Sequence, residues 1–259
     1  MRSIRKTHLS DEDESYFVSM TDLMVGMLFV FIIMLMAFAL NLREAQQTQE
    51  RINEEQTGAR KARDQMLDDI RRKLETRGVK VTIDRENGVL RLKADLLFEK
   101  GRSVLSEPGR QIIGHVSNAL SDVLPCYAKL PGKQQPNDCP LFKGGRLEAV
   151  FIEGHTDSDP YAFGAAKNNW ILSAERAIST FKAIVWVRPR LEKMRNDARQ
   201  HLLGVSGYEA RRPTVRLEGQ SDEEKKGADR RIDLRFIMSS PKPRPQSDTE
   251  KALEEGKKK

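Results

Sequence analysis

Residues 23–40, LMVGMLFVFIIMLMAFAL, form a run of 18 residues without a polar side chain. A run that long reads as a membrane-spanning helix, since in hydrocarbon every backbone N–H and C=O must be satisfied inside the segment. Counted from Tyr16 to Leu42, the helix would be about 40 Å long against a hydrocarbon core of about 30 Å, so its ends reach the headgroups. Tyr16 and Phe17 then serve as interface aromatics. A cleaved signal peptide is the alternative, but it needs a basic leader, a shorter apolar stretch and a small-x-small site. Here the flank is acidic (Asp11, Glu12, Asp13, Glu14), and Ala37-Phe38-Ala39 lies inside the run. We therefore expect a retained, single-pass anchor at 16–42. Bases on its two sides nearly balance (Arg2, Arg5 and Lys6 against Arg43, Arg51, Arg60 and Lys61), so orientation falls to the domain that follows.

Asp22 stands at the head of this run, past the aromatics. A charged carboxylate within a bilayer costs about 2.5–3.5 kcal/mol on translocon scales. An acid there either faces headgroup water and complements the helix dipole, or is kept for moving protons. One helix with one acid makes no pathway, so partner helices must shield the carboxyl and wet one side of it. Gly26, Ala37 and Ala39 permit close helix approach.

The rest of the chain is polar, with 32% charged residues. Two cysteines exclude a disulfide scaffold and a Cys₄ zinc site, and four scattered histidines argue against a histidine metal centre. No Gly-rich phosphate loop and no nucleophile–base motif is present, so no catalysis and no cofactor are expected. The net charge of +7 suggests nucleic acid, but 38 acids are interspersed among the 45 bases and no recognition motif accompanies them.

Residues 43–77 read as a helical linker, about 50 Å if fully helical. Ala45, Ile52, Ala59 and Met66 recur every seventh residue, with Ala62, Ile70 and Leu74 as companions. That is either a thin dimer seam, interrupted at Gly58, or a solvated helix. From 78 to 240 the texture is α/β with a mixed sheet. Residues 79–83 and 89–93 flank Asn87-Gly88 as a hairpin. Further strands are expected at 147–155, 202–208 and 230–238, with helices around 111–123 and at 169–187. Residues 186–201 read as an extra helix cut by Pro189, with a place in dimer contacts. Residues 241–259 are Pro-broken and charged, the composition of a disordered tail ending in Lys257–Lys259.

Residues 15–35, SYFVSMTDLMVGMLFVFIIML, resemble the membrane helix of MotB-type stator subunits. The Asp-Leu-Met-Val-Gly continuation is closer to the MotB-like subunit of Zorya anti-phage systems. That resemblance implies that Asp22 carries the transported ion, H⁺ with Na⁺ as the alternative. It further implies a MotA-like (ZorA-like) multi-pass partner, a homodimer of pegs inside a ring of five such partners, and indirect signalling to cytoplasmic defence effectors. The N-terminus (1–15) would be cytoplasmic and the 78–240 domain periplasmic, in a bacterial inner membrane.

Within 79–238, four motifs in order resemble the OmpA-like peptidoglycan-binding domain: Leu97-Phe98 with Gly101 and Leu105, Gly154-His155-Thr156-Asp157, Asn169 through Ala177, and Asp229-Arg230-Arg231-Ile232-Asp233. Gly207-Tyr208-Glu209 has Glu where the family has a second Gly. The resemblance implies a site for diaminopimelate, with Asp157 taking the ammonium and Arg176 forking onto the carboxylate. Asn169 and Leu172 share the helix face of Arg176, and Thr156, Asn169 and Arg231 would form the rim. An internal Asp157–Arg176 salt bridge is the structural alternative. His155 reads as structural. The loop 158–168 is longer than is usual in the family, so Tyr161 or Phe163 would shape the lip. Cys126 and Cys139 bracket a Pro/Gly-rich loop and, in an oxidising periplasm, form a disulfide or stay as two thiols. Flagellar stator, passive wall tether and nucleic-acid binder are the alternatives to a Zorya motor peg.

Overall fold

The computed structural model describes residues 11–129, 136–140, 145–160, 168–216 and 218–240, with backbone alone for 11–19. The expectations for the leader, the side chains of Tyr16 and Phe17, the lip residues Tyr161 and Phe163, and the tail 241–259 fall outside the described side chains. The chain divides into two compact units, residues 1–53 and 54–259.

Helix α1 (Asp11–Glu75) supplies the first unit. Its most apolar 18-residue window has a mean hydropathy of 2.9, long and apolar enough to cross a membrane. Apolar side chains from Met20 to Leu42 are exposed on every side of it. A helix apolar all round that its own chain leaves uncovered fits a bilayer rather than water.

The second unit is α/β. It begins inside α1, whose last turns carry Ala62, Met66, Leu67, Ile70 and Leu74, all fully buried in the domain core. This corrects the reading of 43–77 as a spacer throughout. The companions of the heptad seam follow a helical period because they face the domain's own core. Arg63 ties this stretch to the hairpin by donating to the Arg85 carbonyl (2.6 Å), and Lys73 reaches Asp122 (3.4 Å).

Five strands, β1 (Thr82–Asp84), β2 (Val89–Lys93), β3 (Leu147–His155), β4 (Leu203–Gly207) and β5 (Arg231–Met238), form one mixed sheet in the order β1-β2-β5-β3-β4. The pairs β1/β2, β2/β5 and β5/β3 are antiparallel, and β3/β4 is parallel. A parallel pair needs a crossover, and α3 (Asn169–Val187) supplies it. Leu90, Leu234 and Ile152 lie side by side across the sheet and are fully buried. Helix α2 (Glu107–Val123) starts at Ser106, whose hydroxyl accepts from the Gly109 N–H. Gly88, at φ +67°, turns the hairpin.

Two local expectations change. Residues 188–201 form a single 3₁₀ turn (Pro189–Leu191) and irregular chain, where an extra helix was expected. Pro189 lacks the N–H that would continue α3. A short helix α4 (Asp222–Asp229) occupies a stretch with no apolar stripe. Its signal is local: Ser221 and Glu224 form a reciprocal capping box. Cys126 and Cys139 are joined in a disulfide, 13 residues apart. Closing a loop of that size stabilises by about 3 kcal/mol in the chain-entropy model.

Leu67→Ala is expected to lower the domain's unfolding free energy by about 2–5 kcal/mol. Ile52→Ala, ahead of the domain, should stay within about 0.5 kcal/mol. Urea unfolding of the detergent-solubilised chain, followed by tryptophan fluorescence, measures both. Equal effects would return 62–74 to the spacer.

Candidate functional site

The site is set where the end of β3 meets the start of α3. A Cβ on Gly154 would lie 1.9 Å from the Ser173 carbonyl oxygen, so only glycine lets the helix sit this close to the strand. Gly207 on β4 meets the same turn of α3. Thr156 and Asp157 follow directly after β3, and the first two turns of α3 bring Asn169, Leu172 and Arg176 opposite them.

These five residues line one cavity of about 360 Å³. Its wall is zwitterionic, with the acids Asp95, Asp157 and Asp159 and the bases Lys100, Arg176 and Arg230. Leu172 adds a buried apolar surface. Asn169 holds the loop after β3, its amide donating to the carbonyls of Asp159 (2.8 Å) and Asp157 (3.3 Å). The Asp159 N–H donates back to the Asp157 carboxylate (3.2 Å). Arg176 is 3% exposed; its Nε donates to the Arg102 carbonyl (2.9 Å), and its guanidinium lies 5.2 Å from the Phe98 ring centre. The buried hydroxyl of Thr156 has no hydrogen-bond partner among the described residues. An unsatisfied buried hydroxyl on a cavity wall costs about 1–3 kcal/mol, which a ligand hydrogen bond would offset.

Asp157 does not close a salt bridge onto Arg176. Its carboxylate accepts from Arg230 Nη1 at 2.7 Å. Arg230 is shared further with Asp95 (3.1 Å) and Glu223 (3.0 Å), and these acids raise its pKa, Asp95 most of all. Lys226 from α4 pairs with Asp159 at 2.7 Å, and that hydrogen bond holds the Asp159 carboxyl below the ordinary carboxylate range.

Arg231 is not at this rim. It is buried and donates to Asp233 (2.9 Å) and to the Arg212 carbonyl (2.9 Å). The reason is strand alternation: residue 231 opens β5 and shares a face with 233 and 235, opposite the core-facing 232, 234 and 236. Arg230, one residue earlier and outside the strand, takes the cavity position. The Arg-Arg pair marks the place in the sequence, but only strand phase says which arginine faces the site.

Behind the cavity, Glu153, His155 and Asp233 offer ligand atoms within 4.8 Å of one another. The donors are already engaged. Arg235 grips Glu153 with two hydrogen bonds (2.9 and 2.8 Å), while Arg91 and Arg231 each reach Asp233 at 2.9 Å. Three arginines over two carboxylates leave a positive surplus that repels a cation. His155 is stacked on Tyr208, with ring centres 5.3 Å apart. Burial pushes its pKa down to about 3, with the Arg231 charge adding to the shift and Asp233 opposing it. It is therefore neutral, and its approaches to Glu153 (4.0 Å) and Asp233 (3.7 Å) are not ion pairs.

Asp22 lies on α1 in the first unit, at the head of the apolar run. It belongs to a separate element from the cavity.

No protein-family model matches the chain, and no curated protein matches it significantly. Among solved structures, it is similar to a MotB-like protein from Desulfovibrio vulgaris, with a TM-score of 0.50 and 19% identity, covering 71% of this chain and 99% of that one. It is also similar to the periplasmic domain of MotB (TM-score 0.41, 17% identity, 66% of this chain and 70% of that one). A third similarity is to the cell wall anchor of the type VI secretion system from Pseudomonas aeruginosa (TM-score 0.44, 16% identity, 66% and 97%). The first of these shows the fold of the α/β domain, like that of the MotB-like protein; in this chain one long apolar helix precedes it.

His155 sets an acid limit on stability. Its folded pKa lies below the unfolded value of about 6.5, so between about pH 6.5 and 3 the unfolded chain binds the extra proton. Stability is full above pH 6.5 and falls with acidification by at most about 1.4 kcal/mol per pH unit. The lowered carboxylates Asp84, Asp229 and Asp233 act only below about pH 4. Urea midpoints at pH 7 and 5 should therefore differ for the parent chain and converge for His155→Phe. Thr156→Val should be neutral or stabilising by about 1 kcal/mol in the same assay, since it removes an unpartnered hydroxyl.

Proposed function

We propose that this chain is the wall-anchored, ion-conducting peg of a MotA/MotB-type rotary motor, working in a Zorya-type anti-phage system as its MotB-like (ZorB) subunit. The single observation that carries the anchoring is the zwitterionic cavity with its unpartnered Thr156 hydroxyl. Peptidoglycan stem peptides offer diaminopimelate, an ammonium and a carboxylate on one side chain. Asp157 takes the ammonium, and Arg230 keeps Asp95 and Glu223 as partners when Asp157 turns to the ligand. Arg176 meets the carboxylate with a guanidinium already oriented by the Arg102 carbonyl, so little side-chain freedom is lost on binding. Thr156 donates to a ligand acceptor, and Leu172 covers the aliphatic part.

The motor reading rests on Asp22 and on the likeness of residues 15–35 to MotB-type membrane helices. The chain crosses the inner membrane once, with residues 1–15 cytoplasmic and the domain periplasmic, where its disulfide is stable. Asp22 accepts a proton (or binds Na⁺) between this helix and a MotA-like multi-pass subunit. Each charge crossing the membrane releases about 2.3 kcal/mol per 100 mV. Two pegs held by the wall resist the torque, and the five-membered partner ring turns about them and signals to cytoplasmic effectors. No catalytic step falls to this chain. A flagellar stator has the same physics with different neighbouring genes.

A phage challenge of cells carrying the operon tests the proposal. Asp22→Asn and Arg176→Ala should each abolish protection at normal protein levels. Protection retained by Asp22→Asn but lost in Arg176→Ala would leave a passive tether, and full protection by both would overturn the motor.

A further inference from the structure

Helix α4 carries no apolar stripe, and of its residues only Asp229 is buried. Charge ties it to the cavity instead. Lys226 pairs with Asp159 at 2.7 Å, and Glu223 pairs with Arg230 at 3.0 Å. Arg230 stands where a ligand ammonium must stand, its Nη1 donating to the Asp157 carboxylate at 2.7 Å. The other edge of the same guanidinium is served separately. Nε donates to both oxygens of Asp95 (3.1 and 3.3 Å), and Nη2 donates to Asp95 (3.1 Å) and Glu223 (3.0 Å). A guanidinium is a rigid fork of five donors. Nη1 can therefore leave Asp157 while the Nε–Nη2 edge stays bound.

The side chains of Asp157 and Arg230 are 13% and 19% exposed, those of Asp95 and Glu223 54% and 77%. The inner pair is sheltered from water and salt, so a ligand gains Asp157 only by bringing a cation of its own in exchange for Nη1. A neutral hydroxyl or amide offers nothing that repays the lost ion pair. Glu223 does not line the cavity, so it acts on Asp157 through Arg230 alone. We infer that Arg230 is a competitor built into the ammonium subsite, and that Glu223 of α4 is the positioning residue that draws it off. This rests on the reading of the cavity as a diaminopimelate site. When the ammonium takes Asp157, the released guanidinium still faces two carboxylates. Without Glu223 it faces one, and its hold on Asp157 is harder to give up. A helix that contributes no wall to the cavity thereby sets the affinity of the site.

Titration calorimetry of the detergent-solubilised full chain against a soluble muropeptide with a diaminopimelate stem tests this. The two ends of one ion pair should act with opposite sign. Arg230→Met should tighten binding about tenfold, since the ligand no longer trades against a charge-assisted hydrogen bond. Glu223→Gln should weaken it about threefold, the scale of one exposed ion pair. Asp222→Asn removes a charge from the same turn of α4, paired with Lys225 and not with Arg230, and should leave the affinity unchanged. In an Arg230→Met background, Glu223→Gln should have no effect. A merely structural ion pair gives other results. Weaker binding in Arg230→Met, unchanged binding in Glu223→Gln, equal losses in Glu223→Gln and Asp222→Asn, or a Glu223→Gln loss that persists without Arg230 would each overturn the inference. If Arg230→Met does not fold, Glu223→Gln against Asp222→Asn still decides. Arg176→Ala separates this inference from the reading it rests on. A parent chain that does not bind the muropeptide, or Arg176→Ala that binds it as well as the parent, removes both. Binding lost in Arg176→Ala but with the wrong signs at 230 and 223 removes only the role of α4.

Discussion

The domain depends on one close approach, that of α3 to β3 at Gly154. With 1.9 Å between a notional Cβ and the Ser173 carbonyl oxygen, no side chain is tolerated there. That contact sets the height of α3 over the sheet. Height in turn decides which helix residues face the end of β3. Asn169 then reaches the carbonyls of Asp157 and Asp159, and Arg176 reaches the loop at 99–102. The cavity follows from this seating. Its residues come from several elements: Asn169 and Arg176 are held by backbone carbonyls, and Asp157, Asp159 and Arg230 by opposite charge.

Charge is distributed through the domain with unequal consequence. Around the cavity, acids and bases alternate and partly satisfy one another, so a zwitterionic ligand exchanges one set of charge-assisted hydrogen bonds for another. On the face of the sheet behind it, Glu153 and Asp233 are almost wholly buried under Arg91, Arg231 and Arg235. Such a ladder is specific in geometry but vulnerable, because losing any one member strands a buried charge. His155 survives among these groups only as a neutral ring, which couples the integrity of this face to pH.

Much of the architecture was legible from the sequence. The apolar run names its helix by length alone. Strands β2 and β3 coincide with 89–93 and 147–155, and α3 with 169–187, because each carries a clear period and a boundary signal. The stretch 62–74 was harder: its apolar residues suit a dimer seam and a domain core equally well, since both demand a helical stripe. Helix α4 escaped because it is polar and short, so only its capping box betrays it. The shift from Arg231 to Arg230 turns on where β5 begins, a matter of one residue that alternation magnifies into opposite faces.

The sequence by itself thus determined the long apolar helix with Asp22 at its head and the α/β order of elements, while resemblance to the OmpA-like motifs marked Thr156, Asp157, Asn169, Leu172 and Arg176 as a set. The helix and the order of elements follow from local periodicity, and the set follows from motifs standing in the family's order. Tertiary structure decided what those residues meet: Arg230 on Asp157, the unpartnered hydroxyl of Thr156, and the burial of α1's last turns. Such facts depend on which distant segments pack together, and helical or strand periodicity says that a face is apolar without saying what will cover it.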